Sequence, residues 1–134
     1  MTTIRITSLD HLVLTVADIE AAASFYERLG MTREVFEGDR LALRFGHQKV
    51  NLHQAGAEIE PHALRATPGS ADLCFLVDGP IAAVEAQVRA QGLEIELGPV
   101  DRTGAEAKLR SLYLRDPDGN LVELSEPGTA HMTS

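Results

Sequence analysis

The stretch LDHLVLTVADIEAAASFYERLG, residues 9–30, decides how the chain folds. Its first part alternates. Leu12, Leu14 and Val16 fall on one face of an extended segment and His11, Val13 and Thr15 on the other, so a strand is expected over 9–16. Asp18 then serves as an N-cap for a helix in which Ile19, Ala22, Tyr26 and Leu29 recur at helical spacing, and Gly30 stops it. Three short runs follow, 32–36, 40–45 and 48–53, separated by Gly38-Asp39 and Gly46-His47, dipeptides that signal hairpins. The order is β-α-β-β-β.

Residues 55–70 contain Gly56, Pro61, Pro68 and Gly69 without a strong period and read as a connector. Beyond it the plan repeats. An alternating strand over 71–77 precedes a helix from Pro80 to Gln91 with Ile81, Val84 and Val88 on one face and Gly92 at its end. Strands are expected at 93–97, 108–115 and 121–125, with Asp116-Pro117-Asp118-Gly119 as the last turn. Residues 100–106 read as a longer loop found only in this half, which Gly104 leaves free to move. Placing Gly30 on Gly92 brings the two helices into register, and a one-residue adjustment places His11 on Asp72. The expected fold is α+β: two tandem βαβββ modules, about 6–54 and 71–127, joined by 55–70 in one domain over 1–134. They would form a curved, half-barrel-like sheet around a cavity.

Composition narrows the function. Across 134 residues, 12 Lys and Arg stand against 20 Asp and Glu, a formal net charge of −8 that disfavours nucleic acid and anionic membrane surfaces. Cys74 is the single cysteine, so no intramolecular disulfide forms, and no signal peptide or long apolar span is present; a cytoplasmic protein is expected. Four Phe, two Tyr and no Trp mean that a ligand cavity must rely on aliphatic walls.

The strand faces opposite the aliphatic stripes carry the chemistry. His11, Asp72, Asn51, His53, Glu123, Arg40 and Arg44 all alternate with apolar residues. If both helices pack on the aliphatic faces, these groups converge on the concave side, where two His and two carboxylates would suit Fe, Mn, Ni or Zn. Taken singly, such alternation is what any half-solvated antiparallel sheet shows, and only the repeat sets these residues at related positions. His47, His62 and His131 have no such support and read as surface residues. Cys74, two residues after Asp72, can line the cavity, and without a neighbouring base it reads as a small apolar residue. Arg40, Arg44, Arg110 and Arg115 can each bind a carboxylate or enolate oxygen. Arg44 is preferred, and Arg44, Asn51, Cys74 and Arg110 form the expected substrate-binding set.

The opening LDHLVLTVADIEAAASFYERLGM and the closing LYLRDPDGNLVELSEP, with the paired modules, resemble the vicinal oxygen chelate superfamily. That group includes glyoxalase I, extradiol dioxygenases, and fosfomycin and bleomycin resistance proteins. FGHQKVNLHQAG and PGSADLCFLV are similar to segments of small glyoxalase-domain proteins labelled virulence or dioxygenase-related. The resemblance runs from Ile6 to Pro127. It implies metal ligands on the first and last strands of each module, which here are His11 and Glu123. Asp72 stands where a His is commoner, and Asn51 aligns with Glu123 while His53 lies two residues further on the same face. The implied site is His11, His53 and Glu123, with Asp72 as a fourth ligand or a supporting partner. Glu123 is the expected proton-moving carboxylate. A homodimer whose modules combine across chains is implied as well.

Two functions remain open. One is a metal-dependent dioxygenase or glyoxalase-like lyase that chelates a small oxygenated substrate through two adjacent oxygens. The other is a metal-free protein that sequesters a small toxic compound, as bleomycin resistance proteins do. The charge of −8 fits capture of a cation, while the shortage of aromatics opposes a flat aromatic ligand.

Overall fold

The computed structural model describes residues 3–128. It divides into two units, Met1–Thr67 and Pro68–Ser134. The first contains β1 (His11–Val16), α1 (Ile19–Arg28), β2 (Thr32–Phe36), β3 (Arg40–Phe45) and β4 (Gln48–Gln54). The second contains β5 (Asp72–Leu76), α2 (Ile81–Ala90), β6 (Leu97–Thr103), β7 (Lys108–Arg115) and β8 (Leu121–Pro127). Each unit has one open four-stranded mixed sheet, ordered β1-β4-β3-β2 in the first and β5-β8-β7-β6 in the second. The edge strands β1 and β5 pair in parallel with β4 and β8, and the other pairings are antiparallel. His131 lies outside the described residues. No helix among the described residues is long and apolar enough to cross a membrane.

Alternation explains the cores. In the first unit Leu14 pairs with Leu52, which pairs with Leu41, while Val50 pairs with Leu43, and all five are buried. Helix α1 lays Ala22, Ala23, Phe25 and Tyr26 on this side, with the two rings edge to face at 5.0 Å. The Asp18 carboxylate accepts from the amides of Glu20 and Ala21 at 3.0 and 3.2 Å, satisfying two N–H groups that a helix start leaves unpaired. In the second unit Leu112, Leu114, Val122 and Leu124 form the equivalent ladder beneath Ile81 and Val88.

The strand registers establish the internal repeat. His11 pairs with Lys49 and Val13 with Asn51; Asp72 pairs with Leu121 and Cys74 with Glu123. His11 therefore corresponds to Asp72, and Asn51 to Glu123. The same alignment sets Gln54 on Glu126, and both perform one task. Gln54 Oε1 accepts from the Ile19 amide at 3.1 Å, and Glu126 Oε1 accepts from the Ile81 amide at 2.8 Å. Pro80 offers no side-chain cap, so α2 relies on the strand residue. Glu126→Ala should cost about 1 kcal/mol in urea denaturation, as loss of a cap does. Glu126→Gln should retain most of that stability.

One strand departs from expectation. Residues 93–96 are not strand, and β6 instead occupies much of the segment expected to be a loop, pairing Val100 with Ser111 and Thr103 with Lys108. The register shifts between Leu97 and Val100, where Gly98-Pro99 forms an irregularity inside the strand and does not end it. Gly98 has φ +119°, and a Cβ there would stand 2.4 Å from the Ser111 carbonyl oxygen, so only glycine fits. A short turn closes the hairpin, with the Gly104 amide donating to Ala107 O at 2.8 Å.

Candidate functional site

Sheet pairing in the second unit builds a polar row. Glu123 on β8 has Cys74 of β5 on one side and Tyr113 of β7 on the other. One step along, Ser125 faces Ser111, and both are fully buried. Ser125 Oγ donates to Glu123 Oε2 at 3.1 Å, because a carboxylate only accepts. Ser111 Oγ lies 2.7 Å from Ser125 Oγ, whose oxygen is then left to accept. Cys74 Sγ is 3.3 Å from the same hydroxyl. The pair of serines fixes the rotamer of Glu123.

This row borders a cavity of about 710 Å³, lined by Cys74, Leu76, Leu109, Tyr113 and Glu123 together with Arg102 and the β6–β7 turn. The walls are mainly aliphatic, and Tyr113 is the one aromatic ring in the lining. Burial pushes the Cys74 thiol above its ordinary value, with a smaller opposing effect from the Ser125 hydrogen bond. The thiol is not an activated nucleophile.

In the first unit His11 is exposed, and its Nδ1 lies 2.8 Å from Asp10 Oδ1. The imidazole donates through Nδ1, which holds the Asp10 carboxyl below the usual range. With Nδ1 bonded to Asp10, Nε2 is the ring nitrogen left for a metal ion. Asn51 and His53 are each only 5% exposed. Both His53 ring nitrogens and Asn51 Oδ1 are buried without a hydrogen-bond partner. Burial lowers the His53 pKa, aided by the positive charge of Arg40 and by His62 and opposed by Glu58. These effects favour the neutral ring.

The expected residues are only partly brought together. His53 pairs with Thr15, four residues beyond His11 on β1, so the two histidines stand about 13 Å apart along the strands. Among the described residues, no three His, Cys, Asp or Glu side chains group closely enough to hold a metal ion. Asp72 is exposed on the edge strand β5. Arg44 is ion-paired with Glu34, whose carboxyl it holds below the usual range, and Arg110 pairs with Asp101 at 2.8 Å. Arg110 also alternates with Ser111 and does not line the cavity. His47 and His62 are exposed, as expected.

Sequence reasoning did not single out Ser111, Ser125, Tyr113 or Arg102. The first three were accessible in principle, since they alternate with Leu112, Leu114 and Leu124 on expected strands. Arg102 lay in the stretch read as a loop and carried no strand signal.

Residues 8–124 match the model of a family described as the glyoxalase/bleomycin resistance protein/dioxygenase superfamily. A virulence protein of Salmonella typhimurium, STM3117, is 53% identical over 119 residues, 88% of this chain and 83% of that protein. Its crystal structure superposes with a TM-score of 0.91 at 51% identity, covering 93% of this chain and all of that one. The glyoxalase domain-containing protein RDO1 of Mycosarcoma maydis is 49% identical over 91% of this chain and 69% of its own length. Two more distant structures share the fold. They are the antibiotic-binding protein TnmS3 of a Streptomyces species, with TM-score 0.70, 22% identity and coverage of 94% and 100%, and a lactoylglutathione lyase of Agrobacterium tumefaciens, with TM-score 0.69, 21% identity and coverage of 95% and 96%.

Proposed function

The chain belongs to the glyoxalase/bleomycin resistance protein/dioxygenase superfamily, and from that premise we propose that it is a metal-dependent enzyme acting on a small oxygenated molecule, as a dioxygenase or a glyoxalase-like lyase. The observation that carries this reading is His53, a buried neutral imidazole whose two nitrogens have no partner. A buried polar group left unsatisfied costs about 1–3 kcal/mol, and a divalent ion is one occupant that removes the cost. His11 supports the same reading, because Asp10 engages Nδ1 and leaves Nε2 for an ion. Glu123 supplies a carboxylate whose rotamer Ser125 holds.

His11, His53 and Glu123 are the residues that would hold the ion, with Asp72 as a further donor; within one chain His11 and His53 stand about 13 Å apart along the strands, so the two would come from different copies. No single chain groups three such side chains among its described residues. The proposal therefore includes a homodimer in which a second copy completes the donor set. When bound, Fe, Mn, Ni or Zn would supply Lewis-acid charge to two adjacent substrate oxygens as negative charge develops on them. Glu123 takes and returns the substrate proton, held in place through its Oε2 by Ser125. The aliphatic side chains of Leu76 and Leu109 would meet the apolar part of the substrate beside Glu123. Arg44 would bind a substrate oxygen only by leaving Glu34. With Cys74 unpaired, the cytoplasm is the compartment proposed.

The test is to strip the purified protein with chelator and titrate it calorimetrically with Fe(II), Mn(II), Ni(II) and Zn(II), measuring mass by light scattering. About one ion per chain in a dimer is expected, with affinity falling at least tenfold in His11→Ala and Glu123→Gln while circular dichroism stays unchanged. Absence of binding for all four ions would overturn the enzyme reading in favour of a metal-free sequestering protein.

A further inference from the structure

The strand arginines of the second unit are not equivalent. Arg110 pairs with Asp101 at 2.8 Å, and Arg115 pairs with Glu96 at 3.0 Å. Arg102 bonds only to neutral acceptors. Its Nε donates to the Tyr113 hydroxyl at 2.8 Å and its Nη1 to the Asp101 carbonyl at 2.9 Å. Its guanidinium carbon lies 5.3 Å from the centre of the Tyr113 ring. No ion pair found among the described residues includes Arg102.

Arginine carries five N–H donors, so the two used here leave three for a ligand. The stacking and the phenol bond hold the fork in place before any ligand arrives, which reduces the ordering cost of binding. Arg102 and Glu123 line the same cavity, and Tyr113, which seats the guanidinium, is the direct cross-strand neighbour of Glu123. The remaining walls include Leu76, Leu109 and Ala107, so the body of a ligand meets aliphatic surface. Charge sets a further limit. Arg102 is the single cation of the lining, against the carboxylates of Glu106 and Glu123, so a ligand with one negative charge is opposed less than a phosphate dianion.

We propose that Arg102 is the specificity-determining residue of this cavity and that the ligand class is a small aliphatic monocarboxylic acid, its carboxylate on Arg102. The inference rests on the reading that this cavity holds the substrate, and it does not depend on the metal. Neither Arg44 nor Arg110 is needed for it.

The experiment compares hexanoate with its neutral isostere hexanamide on metal-stripped full-length protein, by calorimetry, in wild type, Arg102→Met, Arg102→Lys and Arg110→Met. Hexanoate should bind wild type roughly tenfold or more tightly than hexanamide, because a charge-assisted hydrogen bond is at stake. That preference should weaken in Arg102→Lys, vanish in Arg102→Met and persist in Arg110→Met, with circular dichroism confirming that each variant is folded. Equal binding of acid and amide, binding of neither, or an acid preference surviving in Arg102→Met would each overturn the proposal. Metal titration of the same samples separates the two readings. Acid preference without metal binding leaves this inference standing and removes the metalloenzyme, whereas metal binding without acid preference removes this inference alone.

Discussion

Replacing His53 by Leu is expected to make the metal-stripped protein more stable and to abolish its metal binding in the same step. The ring is 95% buried, and neither nitrogen has a hydrogen-bond partner. Leucine fills a similar volume without a polar atom to desolvate, so the gain should be about 1–3 kcal/mol in urea denaturation with chelator present. The pH dependence gives an independent check. Burial, Arg40 and His62 lower the folded-state pKa of His53 below its ordinary value near 6.5, against a weaker opposing effect of Glu58. As pH falls, the unfolded chain therefore takes up the proton first. The stability associated with the neutral ring is complete above about pH 6.5 and is lost as the pH drops from there toward the folded-state value. As the pH falls below about 6.5, wild type should lose stability more steeply than His53→Leu. A leucine variant less stable than wild type above that pH would show that the ring nitrogens do find partners in solution.

Asp116→Ala should have the largest cost to folding, about 3–5 kcal/mol, out of a total that for most domains is only about 5–15. Asp116 sits between β7 and β8 and is 4% exposed. Its Oδ1 accepts from the amides of Asp118 and Asn120 at 2.9 and 3.0 Å, and its Oδ2 accepts from the Asn120 side chain at 2.8 Å. Alanine removes both acceptor oxygens and all three hydrogen bonds at once. The damage spreads, because Asn120 uses its own Oδ1 to bind the Ala71 amide at 2.8 Å and so ties the start of β5 to the turn. Asp116→Asn, which keeps one acceptor oxygen, should lose less. Thermal denaturation of the two variants beside wild type measures the difference, and an alanine variant within about 1 kcal/mol of wild type would show that water replaces the carboxylate there.

The positions of most elements follow from local signals. Asp18 caps α1, Gly30 and Gly92 follow the helices, and the strands at 32–36, 40–45 and 108–115 match their hydrophobic alternation. The correspondence of His11 with Asp72 and of Asn51 with Glu123 was legible for the same reason, since a repeat of period-2 strands preserves which face each residue occupies. The strand β6 was not legible. Gly98 and Pro99 carry the composition of a turn, and only the approach of the Ser111 carbonyl makes glycine an irregularity within a strand. The partners of charged groups were equally hidden. Alternation places Arg44, Arg110 and His53 on their faces, but it cannot say that Glu34 and Asp101 neutralise the two arginines while His53 is buried and unpartnered.

What the sequence by itself determined is therefore the order of the elements, the duplicated plan and the face on which each ionisable residue stands, because these depend on spacing along a few residues of chain. The tertiary structure alone decided which of those residues are paired, which are buried and which line a common cavity. Hydrogen bonding, desolvation and ion pairing depend on distances between strands that chain spacing does not encode.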